Sequence, residues 1–100
     1  LIIPKKIKAF GRLYSVHRDN NITDKIDCWG YIDHSTDEIV LKKRSLDFTM
    51  GHERQTFMHE IIHLVDDNLK VGLDEKQTQL LSAGLTTILA DNKLDISNDG

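Results

Sequence analysis

The chain has 100 residues, 39% of them hydrophobic and 29% charged, which bounds it to one domain with a modest core. Lys and Arg number 13 against 16 Asp and Glu, a net charge of −3, and that balance argues against a nucleic-acid binder, which is usually basic. No apolar run nears the ~20 residues of a membrane helix, and a mean hydropathy of −0.38 with ordinary composition argues against disorder.

In chain order, residues 3–18 read as two short strands, with Ile, Val and aromatics among polar residues and Gly11 marking a turn or bulge. Asp19-Asn20-Asn21 signals a loop. Residues 28–42 read as a hairpin, with strands near 28–33 and 38–42 around a polar turn at His34-Ser35-Thr36-Asp37. Ser45-Leu46-Asp47 reads as a loop before a helix at about 52–68, whose Phe57, Met58, Ile61, Ile62, Leu64 and Val65 share one broad face. Lys70-Val71-Gly72 is a break. Asp74 then caps a second helix at about 74–90, with an apolar stripe of Leu80, Leu81, Gly84, Leu85 and Ile88. A small antiparallel sheet has one face to bury and the helices supply the cover. We therefore expect a single α+β domain over 1–100: a sheet-forming part at 1–44, a helical part at 45–92, and a frayed tail at 93–100.

The chemistry concentrates in His59-Glu60-Ile61-Ile62-His63. Residues i and i+4 of a helix lie on one face a turn apart, so two imidazoles can reach one ion at ~2.0–2.1 Å each. They fall opposite the apolar face. Glu60 is rotated away from the ligands and is placed to activate a zinc-bound water. Chance alone yields this pattern in roughly one such sequence per hundred, so the spacing is informative when it falls on a helix.

Zinc needs a third protein ligand. Asp67 lies another ~6 Å along the helix axis, too far forward for an ion bridging His59 and His63. It reads as a hydrogen-bond partner of His63 or as surface charge, and Asp66 points further to the side. Glu75 opens the second helix, and the break at 68–72 lets the chain return it to the histidines. It reads as the third ligand, or as an ordinary first-turn acid favoured by the helix dipole.

The run Thr56-Phe57-Met58-His59-Glu60-Ile61-Ile62-His63, the segment from Leu73 to Leu85 (LDEKQTQLLSAGL), and Asp91-Asn92 together resemble small phage and prophage HExxH proteins. These are similar to the ImmA/IrrE-type metallopeptidases and the minigluzincins. The resemblance implies a strand-rich amino-terminal part, an active-site helix and a following helix bearing a Glu ligand, a gluzincin-like minimal zincin. It makes His59 and His63 ligands, Glu60 the catalytic base and Glu75 the third ligand of Zn2+. Larger relatives often carry Ala at the position of Thr78 and an extra helix before the sheet.

Other residues are read more plainly. Trp29 and Tyr31 alternate on one strand face as core, cleft wall or substrate contact. Tyr31, His34 and His52 can each supply the donor that a tetrahedral oxyanion needs, and nothing ranks them. His17 reads as strand surface, and Lys42-Lys43-Arg44 as a solvated strand end. Cys28, the single cysteine, excludes an internal disulfide and reads as structural, which leads us to expect a reducing cytosol. The resemblance makes that the cytoplasm of a bacterial host. The functional expectation is a zinc-dependent endopeptidase acting on a cytosolic protein, by analogy a repressor, with no membrane association. The alternative is a non-catalytic module of the same fold that acts by protein binding. A purely structural zinc site has no need of a base, and the base is present.

Overall fold

The computed structural model describes residues 2–19, 29–45 and 48–94. Strands β1 (Lys6–Ala9), β2 (Arg12–Asp19), β3 (Gly30–Asp33) and β4 (Glu38–Lys42) precede helices α1 (Met50–Leu69) and α2 (Glu75–Asp91). The readings at Asn20, Asn21, Cys28, Leu46 and Asp47, and the tail over 95–100, fall outside the described residues.

A two-residue turn joins β1 to β2, with Ala9 opposite Arg12. Phe10 and Gly11 both have positive φ there, 51° and 77°, as a turn matched to strand twist requires. In the second hairpin the Asp33 carboxylate accepts from the Ser35 N–H at 3.0 Å and the Ser35 hydroxyl at 2.6 Å, which fixes the reversal. Arg12 reaches Asp37 at 2.7 Å and ties the two hairpins together.

The sheet is mixed, not antiparallel as expected. Its order is β1-β2-β4-β3, and β2 runs parallel to β4. The reason lies in β4. Its Ile39-Val40-Leu41 run is buried on both faces, the pattern of a strand flanked on either side rather than one at an edge. The hairpin therefore enters with β4 inward and β3 at the edge. The opposite edge, β1, exposes Lys6 and Lys8, charges that discourage strand addition.

Tyr14, Val16, Ile39, Leu41, Phe57 and Leu64 form the core between sheet and α1. The expected cover by both helices is corrected: α1 packs on β3 and β4, and α2 packs on α1. The expected stripe of α2 is likewise not its buried side. Leu80, Leu81, Leu85 and Ile88 are exposed, and the buried residues are Thr78 and Ser82. Both hydroxyls bond back to their own helix, Thr78 to the Asp74 carbonyl and Ser82 to the Gln79 carbonyl. They thus present small, satisfied surfaces on which helices approach closely.

Gly30 marks another close approach. A Cβ there would meet Thr56 Cγ2 at 2.9 Å, the Val40 carbonyl oxygen at 3.0 Å and Leu41 Cδ2 at 3.2 Å. Because one neighbour is backbone, β3 must shift to admit it. Gly30→Ala is expected to destabilise by about 1–3 kcal/mol, read as a lower urea midpoint with unchanged m.

Glu53, in the first turn of α1, is fully buried. Arg18 donates to its two oxygens at 2.9 and 3.1 Å, and Arg44 donates at 3.2 Å. Burial pushes the carboxyl up, but Arg18 and then Arg44 outweigh it and hold it below the usual carboxylate range. The lowered value means that this contribution to stability is complete above the unfolded pKa of ~4.3 and lost as pH falls through the folded one. Thermal melts should show that acid loss in the native chain and a shallower one in Glu53→Gln. Glu53→Ala should cost about 2 kcal/mol, less than the ~3–5 kcal/mol of a fully buried pair because both arginines are partly exposed and can rehydrate.

Candidate metal centre

Two capping boxes set the helices that carry the site. Thr49 Oγ1 accepts from the His52 N–H at 3.5 Å, while His52 Nδ1 accepts from the Thr49 N–H at 3.3 Å. Asp74 Oδ1 accepts from the Gln77 N–H at 2.7 Å, and Gln77 Oε1 accepts from the Asp74 N–H at 2.9 Å. Between them α1 stops at Lys70, left-handed at φ 53°. Asp66 Oδ1 then accepts from the N–H groups of Gly72 (2.7 Å) and Leu73 (3.2 Å). That carboxylate folds the connection back and delivers Glu75 over α1, a role its sequence position did not reveal.

His59, Glu60 and His63 form a group able to hold a metal ion. The two Nε2 atoms lie 3.0 Å apart. Glu75 Oε2 is 3.2 Å from His59 Nε2, and Glu75 Oε1 is 3.0 Å from His63 Nε2. Donors on a tetrahedral ion with bonds of ~2.0–2.1 Å sit ~3.3 Å apart, so this spacing is close to what zinc imposes. Facing imidazole lone pairs at such a distance repel unless a proton or cation lies between them. Burial, then the charge of His63, lowers the His59 pKa against the pull of Glu75, which favours the neutral, ligating ring. Two carboxylates compete for the third position. Glu75 touches both rings from an exposed first turn; Glu60 is nearby but buried in α1. Glu75 makes the direct contacts to the two rings, while the ligand atoms of His59, Glu60 and His63 lie within reach of one ion.

Burial pushes the Glu60 carboxyl up to about 7, with Glu75 and Asp67 adding and His63 opposing. A divalent cation beside it would draw it back down. Glu60 thus sits where its proton affinity responds strongly to an ion on the histidines.

The group opens into a cleft of about 950 Å³ between α1, the start of α2 and the edge of β3. The other sequence candidates all border it, but not as expected. Asp67 meets His34 Nε2 at 3.1 Å rather than His63, and both line the cleft. His52 is engaged in capping and packs against Trp29 at 4.8 Å between ring centroids. Tyr31 is in register with Val40, so strand alternation puts its side chain on the face opposite Gly30 and Ile32. Trp29 also meets Phe48 edge-on at 5.1 Å and forms cleft wall. Of the basic run, Arg44 is spent on Glu53 and Lys42 lies over the Phe48 ring.

No family model, curated protein or solved structure matches the chain. Among the described residues no helix is long and apolar enough to cross a membrane.

Removing Asp66 offers a test of how Glu75 is placed. Asp66→Ala alters none of the three converging side chains, yet it should weaken metal binding by about 10-fold. Competition with a chromophoric chelator measures this, with circular dichroism confirming intact helices.

Proposed function

We propose that the chain is a zinc-dependent metallopeptidase, with His59, His63 and Glu75 holding the ion and Glu60 as general base. The observation that carries this reading is the convergence of Glu75 on both imidazoles beside a buried Glu60, at a cleft bordered by β3. A zinc ion bound there supplies a Lewis acid for the scissile carbonyl and for the attacking water. Glu60 takes the proton from that water and passes it to the leaving amine nitrogen, so the C–N bond breaks as the carboxylate product forms. The peptide lies extended along β3, whose outer edge pairs with no strand among the described residues. Backbone hydrogen bonds hold it there. By the resemblance to ImmA/IrrE-type proteins, the substrate is a bacterial cytoplasmic protein such as a repressor.

The test is cleavage of an unfolded protein by the zinc-loaded chain, with new amino termini identified by mass spectrometry. Activity should vanish on chelation and return with zinc. A zinc-loaded chain that cleaves nothing would favour the binding-module reading instead.

A further inference from the structure

The outward side of α2 has features that the peptidase reading does not use. Thr78 and Ser82 mark the side packed on α1. Two residues on from each, roughly opposite on a helix, stand Leu80 and Gly84. Leu80 and Ile88 are 63% and 56% exposed, with Leu81 and Leu85 beside them at 46% and 43%. From Gln77 to Ala90 there is no charged residue, unusual for a helix face left in water. Gly84 sits amid this surface. Glycine weakens a helix relative to alanine, and a Cβ at Gly84 would meet nothing within 4 Å. Packing among the described residues therefore gives no reason for it, whereas close approach of a second helix does.

We propose that this face joins two copies of the chain, with their α2 helices antiparallel and crossing at Gly84. The sequence about that residue is self-complementary, as a two-fold interface requires. Leu80 and Ile88, four residues to either side, each meet the other's counterpart. Lys76 and Asp91, eight before and seven after, lie on one flank of the helix. A two-fold axis brings Lys76 beside the partner's Asp91 twice over. Neither forms an ion pair among the described residues. Opposed helix dipoles add in the same sense. The face lies on the opposite side of α2 from Glu75, so pairing leaves the cleft open. The patch is short, which places the dimer in the weak class.

Sedimentation equilibrium of the full chain over a wide concentration range tests this. A reversible monomer–dimer equilibrium is expected, with a dissociation constant on the order of 10 µM. Ile88→Glu should weaken it by at least about 30-fold with the helical signal unchanged. Lys76→Asp and Asp91→Lys should each weaken it by roughly fivefold, and the double exchange should restore it. Gly84→Leu separates folding from association: it should raise the melting temperature of the monomer yet weaken the dimer. A chain that stays monomeric at the highest concentration overturns the proposal. So does a dimer indifferent to Ile88→Glu, or one that the double exchange fails to rescue.

Discussion

Glu60→Gln is expected to lower kcat by a factor on the order of 10²–10⁴ while zinc stays bound at the native level. The amide keeps the size and burial of the side chain but cannot accept the proton of the attacking water. Because Glu60 is not the carboxylate touching both imidazoles, its loss should leave metal affinity almost unchanged. The two readouts together separate a base from a ligand. Activity retained in Glu60→Gln would remove the base, whereas zinc lost in that variant would make Glu60 the third ligand in place of Glu75.

His63→Ala is expected to have the largest effect on the metal. Four-ligand zinc sites bind with apparent free energies of ~10–16 kcal/mol. One ligand therefore carries ~3–4 kcal/mol, a loss of roughly 10²–10³ in affinity. His63 also borders Glu60, so hydrolysis should disappear with the ion. Fold stability should change far less, since His63 lies outside the core cluster. Chelator competition and thermal melts distinguish the two effects. Equal loss of zinc in Glu75→Ala and His63→Ala would place the exposed carboxylate on a par with the imidazoles. Unchanged affinity in Glu75→Ala would reduce the protein's contribution to the group on α1.

Much of the helical half was legible because local rules govern it. The four-residue spacing of His59 and His63, the cap at Asp74 and the break before it are short-range signals, and the helices follow them to within a few residues. The second hairpin, and the two strands before it with a turn or bulge at Gly11, were legible for the same reason. The pairing of β2 with β4 was not, because strand order depends on contacts distant in sequence; the uninterrupted Ile39-Val40-Leu41 run was the available hint. The apolar stripe of α2 misled because helical periodicity identifies a hydrophobic face without saying what it meets. Thr78 and Ser82 do the packing instead, their hydroxyls satisfied within the helix. In the site, spacing along one helix left Asp67 as a partner of His63 or as surface charge, and His34 arrives from the β3–β4 turn to pair with it. Asp66 was weighed only as a ligand and set aside, because its work is on backbone amides of the next segment.

Direct titration of the metal-free chain with zinc, monitored by calorimetry and checked by elemental analysis, tests the central claim most closely. The convergence of His59, His63 and Glu75 predicts one ion per chain, with affinity collapsing in His63→Ala and preserved in Glu60→Gln. A chain that takes up no zinc, or takes it up equally well in His63→Ala, would contradict it.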